Sequence, residues 1–200
     1  MDCPFLYKKE NPLNPAIKLL ILLIRTIDTV NEAVGRFVAW LTVLMVVNVF
    51  IVVVLRYTFS IGWIWMQELY VWTHAVIFLL GAGYTLLHEG HVRIDVIYRD
   101  ASIRYKAIVN IFGCLFLAIP LLVLLLDRSL PLIFRSWMNL EKSAEAGGME
   151  GVFLLKTVIG VFAILFALQF MSMLLRNIIT LLGHEVPNSR QEDASKDIAL

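Results

Sequence analysis

The sequence predicts an all-α integral membrane protein, with four transmembrane helices preceded by an amphipathic helix at the membrane interface. Three observations carry that prediction. Of the 200 residues, 60% are hydrophobic and only 16% charged, more apolar surface than a soluble domain of this length has an interior to hide. The apolar residues gather into four uncharged runs, Phe37–Leu55, Leu69–Leu87, Ala107–Leu126 and Thr157–Leu175, each bracketed by ionisable residues. About 20 residues at 1.5 Å rise cross a hydrocarbon core roughly 30 Å thick. Lipid offers the backbone no hydrogen-bond partner, so each run must be helical; the alternation a closed barrel needs is missing.

These runs divide the chain into a leader over 1–15, one membrane domain over 16–182 and a polar tail over 183–200. Within the domain the pattern predicts an amphipathic arm over about 16–33 and crossings over about 36–56, 68–88, 106–127 and 156–176. Three prolines mark the leader. The run Ala16–Ile24 is too short, and lacks the small-residue site, for a cleaved signal peptide. Its pattern fits the arm. Lys18, Arg25, Asp28, Thr29, Glu32 and Arg36 share one face, and Ile17, Leu20, Ile21, Ile24 and Ile27 another. Such a helix lies in the headgroup plane with its cations towards anionic lipid. The alternative on pattern alone is an extension of the first crossing.

Asn48 is the one strong polar group of the first crossing, and an amide in a membrane helix is expected to hydrogen-bond a neighbouring helix. In the short loop that follows, Trp63 and Trp65 fit an interfacial aromatic belt. Arg56 and Glu68 stand at the two helix ends facing that loop and are candidates to pair. On the second crossing Gln67, Tyr70, His74, Ile77, Gly81, Tyr84 and His88 follow steps of three and four and form one face. Lipid has no use for such a face, so it should meet protein. His74 is an imidazole deep in the run. Proton or ion handling is one reading, and a neutral imidazole hydrogen-bonded between helices is the favoured one.

The next loop carries Gly90, His91, Arg93 and Asp95. His88, His91 and Asp95 have a spacing resembling metal ligation, but with no cysteine near them interfacial anchoring is the better reading. The third crossing contains Pro120, which membrane helices tolerate with a kink. The loop over 139–151 is acidic, holds Gly147-Gly148 and reads as flexible. The fourth crossing offers Gly160, Ala163 and Ala167 as a small-residue face and Gln169 and Ser172 as polar groups elsewhere.

An even number of crossings places both termini and the 88–106 loop on one side. That side collects twelve of the seventeen Lys and Arg residues, so the termini are expected in the cytoplasm. Cys3 and Cys114 fall in a tail and inside a helix, which excludes a disulfide framework. No nucleophile–base pair, phosphate loop or redox motif is present, so the chain is expected to be no enzyme. Catalytic, cofactor and metal sites are expected to be absent. The paired broken helices of a self-sufficient secondary transporter are also missing.

The ordered set Arg56-Tyr57, Gly62-Trp63, Glu68-Leu69, Gly81-Ala82 and Gly90-His91-Val92-Arg93-Ile94-Asp95 resembles the small membrane subunit of tripartite ATP-independent periplasmic (TRAP) transporters. The resemblance covers about residues 33–180. Gln67 departs from it, because many members carry a second acid beside that at 68. The resemblance implies a sodium-driven uptake system of a bacterial inner membrane. A periplasmic binding protein would deliver an organic acid to a large membrane subunit that this chain braces. It implies no substrate site here. Asn48, Gln67, Tyr70, His74, Gly81, Tyr84 and Gln169 become candidates for helix packing or subunit contact. Arg56, Trp63, Trp65, Glu68, Gly90, His91, Arg93 and Asp95 become interfacial marks. Two other readings stand beside it: a self-associating four-helix proton-coupled transporter centred on His74 and Glu68, and a non-transporting membrane scaffold.

Overall fold

Every third or fourth residue of the first helix turns inward. Ile24, Ile27, Asn31, Gly35 and Val38 are buried, and Leu41, Met45, Asn48, Val52 and Leu55 are half-buried along the same line. This is the seam of a long helix packed on protein along its length. The computed structural model describes residues 15–88 and 101–184. There the chain forms α1 (Pro15–Phe59), α2 (Ile64–Leu87), α3 (Ile103–Gly113), α4 (Ile119–Met138) and α5 (Val152–Leu181). A π-helical turn, Cys114–Ala118, joins α3 to α4. Four stretches are long and apolar enough to cross a membrane: α1, α2, the continuous Ile103–Met138 and α5. The fold is all-α, and among the described residues the only β pairing is an isolated bridge between Lys142 and Glu150.

The expected interfacial arm and the first crossing are one unbroken helix of 45 residues. At 1.5 Å per residue α1 is about 68 Å long, roughly twice the hydrocarbon thickness. Continuity follows from the sequence, since no proline or capping signal interrupts α1 between Pro15 and Phe59. The isoleucine face expected to meet lipid includes Ile24 and Ile27, which are buried within the bundle. Residues 16–33 are thus helically continuous with the first crossing, and part of their apolar face packs within the bundle.

Pro120 explains the π turn before it. A proline lacks the N–H of the helical ladder and its ring crowds the carbonyl four residues back. The wider turn at Cys114–Ala118 absorbs both, and places Pro120 in the first turn of α4. At the start of α3 the Ser102 hydroxyl accepts a hydrogen bond from the Tyr105 amide at 3.3 Å, an N-cap that stops the first turn fraying.

α5 occupies the centre, packing against each of the other helices, while α1 and α2 form the most extensive pair. That pair comes close because of two glycines. A Cβ on Gly35 of α1 would lie 2.2 Å from the Tyr84 ring, and one on Gly83 of α2 would lie 2.2 Å from the Asn31 amide oxygen. Small residues at such crossings let membrane helices gain the dispersion contact that replaces the hydrophobic effect between them.

Gly35→Ala therefore forces α1 and α2 apart. It should destabilise the detergent-solubilised protein by about 1–3 kcal/mol, the usual cost of overpacking. Gly113→Ala, whose added Cβ meets nothing within 4 Å, should leave the thermal midpoint level or raise it. Melting the two variants in parallel checks both.

Candidate functional site

The polar side chains of the bundle concentrate at its two ends. At the end formed by the first half of α1, the last turn of α2 and the second half of α5, Asp28 is the hub. Its Oδ2 accepts from the Arg176 guanidinium at 2.5 Å, and its Oδ1 accepts from Ser172 Oγ at 2.7 Å and Gln169 Nε2 at 3.2 Å. Gln169 then uses its oxygen to accept from Asn31 Nδ2 at 2.9 Å. Asp28, Asn31 and Gly35 lie on one face of α1, and Gln169, Ser172 and Arg176 on one face of α5, because residues three and four apart are neighbours on a helix. Asn31, Gln169 and Ser172 are buried, and the Asp28 and Arg176 side chains are only 13% and 17% exposed.

One turn further along α1, Glu32 Oε2 meets His88 Nε2 of α2 at 2.7 Å, while Oε1 accepts from Arg36 Nε at 3.0 Å. The His88 ring lies against Tyr84, centroids 4.3 Å apart. On the far side of α5, Asn110 of α3 donates to Asn177 at 3.1 Å. Near this end side-chain hydrogen bonds thus tie α1 to α5 and to the end of α2, and α3 to α5. A buried pair of opposite charge holds a structure together only where further hydrogen bonds satisfy its remaining atoms. Asp28 meets that condition, with three donors on two oxygens.

At the opposite end Glu68 of α2 is the hub. Its Oε1 accepts from Ser143 Oγ, and its Oε2 accepts from the Met149 amide at 2.5 Å. Ser143 N donates to the Met149 carbonyl at 3.1 Å, and Lys142 reaches Glu150 at 2.6 Å. Gly148 leaves the space, since a Cβ there would lie 2.8 Å from Glu68 Oε1. Lys156, at the start of α5, pairs with Glu141, and Trp137 Nε1 donates to Thr157 Oγ1 at 2.8 Å. The 139–151 loop expected to be flexible is therefore folded back onto the head of α2. Glu68 is committed to it and does not pair with Arg56, which is exposed at the end of α1. The Lys156 ammonium beside Glu141, bonded to it and opposite in charge, holds that carboxyl below the ordinary carboxylate range.

The structure distributes the other residues singled out from sequence as follows. Asn48 donates to the Met66 carbonyl of α2 at 3.1 Å, across the α1–α2 seam. Trp63 and Trp65 are half-exposed and stacked, centroids 6.5 Å apart. Gln67, Tyr70, Gly81 and Tyr84 are half-buried, with Gly81 in reach of Val38 and Tyr84 on Gly35. His74 is exposed, away from the α1 and α5 contacts of its helix, and forms no hydrogen bond within the described chain. Among the described residues no imidazole bridge from His74 to another helix is present. Gly90, His91, Arg93 and Asp95 lie outside the described residues.

Asp28, Asn31, Glu32, Ser143 and Arg176 were not identified from sequence as contact residues. An amphipathic reading assigns Asp28 and Glu32 to the headgroup side, because charge next to an apolar run looks the same whether water or an arginine satisfies it. The signal that existed was spacing. Gln169, Ser172 and Arg176 repeat at steps of three and four, matching Asp28, Asn31 and Gly35.

The model of one protein family, the DctQ component of the tripartite ATP-independent periplasmic transporters, matches residues 45–180. The chain belongs to this family. It is a multi-pass membrane protein, the small membrane component of a TRAP transporter. Comparison with curated proteins and with solved structures gives no match. The matched region contains Glu68, His88, Gln169, Ser172 and Arg176, whereas Asp28, Asn31, Glu32 and Gly35 precede it. The DctQ-type bundle is thus locked at one end by residues of α1 that stand before the family match.

Asp28→Ala removes the carboxylate that Arg176, Ser172 and Gln169 share and should cost about 3–5 kcal/mol in detergent melts. Asp28→Leu with Arg176→Met should recover part of that loss, because the largely buried cation is removed together with its carboxylate. Acid acts at the other end. Glu141 has a lowered pKa in the folded state, so its contribution is present at neutral pH and is lost as pH falls through that lowered value. Hydrogen exchange across 139–151 should therefore rise below the ordinary carboxylate range. Glu141→Gln should exchange faster already at neutral pH, despite Glu68, Lys142 and Glu150 remaining.

Proposed function

We propose that this chain is the bracing subunit of a sodium-driven uptake system in a bacterial inner membrane. In this reading a periplasmic binding protein captures an organic acid and passes it to a large membrane subunit, which moves it inward. The present chain holds the large subunit in the bilayer and offers an outer surface to the binding protein. The observation that carries the reading is the fate of the polar side chains. Asp28, Asn31, Gln169, Ser172 and Arg176 bond to one another, and Glu68 bonds to the 139–151 loop. A chain that translocates a solute by itself needs polar groups free to take and release it; here they fasten helices and a loop. The membership in a transporter-component family, which is not an enzyme family, points the same way.

Orientation follows from charge. Twelve of the seventeen Lys and Arg residues fall on the side of the termini, which the positive-inside rule puts in the cytoplasm. The Glu68-anchored loop then faces the periplasm, where the binding protein arrives. Its ordered Lys142–Glu150 turn gives that partner a fixed surface.

Reconstitution in proteoliposomes tests the proposal. The chain alone should give no uptake, whereas the chain with a large subunit and a binding protein should give uptake that requires a sodium gradient. Uptake by the chain alone would sink it and return the self-associating carrier centred on His74 and Glu68. A stable complex with no flux under any gradient would instead leave a scaffold.

A further inference from the structure

His74 sits near the middle of α2 (Ile64–Leu87), on a face that no other helix covers among the described residues. Val71 and Phe78, one turn to either side, are 55% and 73% exposed. The buried residues of α2, Met66, Gly83 and Leu87, lie on a different side. Several other polar side chains in the spans bond within the described chain, although the buried Ser136 Oγ does not. Asn48 bonds Met66, Asn110 bonds Asn177, Gln169 and Ser172 bond Asp28, and Thr42, Thr73 and Thr85 bond carbonyls of their own helices. Among the described residues His74 has no such bond.

Hydrocarbon cannot satisfy an imidazole at that depth. A neutral ring carries one N–H donor and one acceptor nitrogen, and leaving them against lipid tails is costly whichever ring nitrogen holds the proton. A side chain near a helix end escapes by reaching the headgroups, but His74 is short and central. The complement has to come from another polypeptide at the same depth.

We propose that the Val71–His74–Phe78 face of α2 is the seat of one transmembrane helix of the large subunit, and that this helix presents a hydrogen-bonding side chain or freed carbonyl to His74. The inference rests on the bracing role above and adds the face and the contact. Complementarity chooses the occupant. Lipid offers no partner to the ring. A second copy of this chain would set His74 against His74, which works only as one tautomeric donor–acceptor pair. A helix of the large subunit can bring a polar side chain or a carbonyl freed at a helix break to that depth. Phe78 and Val71 then pack on its apolar flank, and the single hydrogen bond fixes its register.

The experiment uses the full complex, co-expressed in its membrane. p-Benzoylphenylalanine replacing Phe78 should, on irradiation, give a covalent adduct with the large subunit. The same residue replacing Phe116, exposed beside α3, is the comparison for a separate face. His74→Leu should weaken recovery of the large subunit about 3- to 30-fold, the range of one interhelical hydrogen bond in a membrane. His74→Gln, which keeps a donor and an acceptor, should restore part of it. An intact complex in which position 78 reaches only lipid or a second copy overturns the contact while leaving the bracing role standing. So does a folded His74→Leu chain that recovers the large subunit as well as the native one. Failure of the native chain to recover any large subunit overturns both.

Discussion

A carboxylate drawn away from water has to be met by donors on both oxygens, and Asp28 is met by three that all come from one other helix. Arg176, Ser172 and Gln169 fix the rotation of α5 about its axis as well as its height against α1, because no other setting of that helix brings all three to the same carboxylate. Once α1 and α5 are registered in this way, Asn31 is carried against Gly83 and Gly35 against Tyr84, and α2 has one place to lie. Glu32 then finds His88 at 2.7 Å. Lipid supplies no hydrophobic drive to press membrane helices together. Polar bonds and close glycine contacts set the geometry, and apolar side chains fill around it.

The two ends of the bundle solve different problems with the same device. At the Asp28 end the acid joins helix to helix. At the Glu68 end it joins a helix to a loop, drawing Ser143 and Met149 onto the head of α2 and leaving Lys142–Glu150 and Lys156–Glu141 to close the turn. The first interaction is largely screened from solvent, and so resists salt. The second is more open and answers to pH and ionic strength.

Between these locked ends the middle of the bundle is bare. Phe37, Val43, Val47 and Phe50 on α1, Phe78 on α2 and Phe116, Leu117 and Leu121 around the π turn all point outward. Such surface is ordinary for a chain in lipid and for a chain that meets other membrane helices, and apolar exposure does not separate the two. His74 is what separates them in the proposed contact, because it is polar, central and without a bond among the described residues.

Much of this was legible in the sequence for a simple reason. Length and apolarity decide whether a segment can cross a bilayer, and both are read one residue at a time. That determined the four crossings, their helical state and, through Arg56-Tyr57, Gly62-Trp63, Glu68-Leu69 and Gly81-Ala82, the family. Which helix faces which is a property of pairs, and a single chain of letters carries pairs only as spacing. The tertiary structure alone decided that Asp28 meets Arg176 148 residues away and that α1 runs unbroken through the expected arm. It also decided that Glu68 answers Ser143 instead of Arg56, and that His74, on the same stripe as Tyr84, turns outward where Tyr84 packs on Gly35. A charged group reads alike whether water, headgroup or arginine satisfies it, and only the folded chain says which one does.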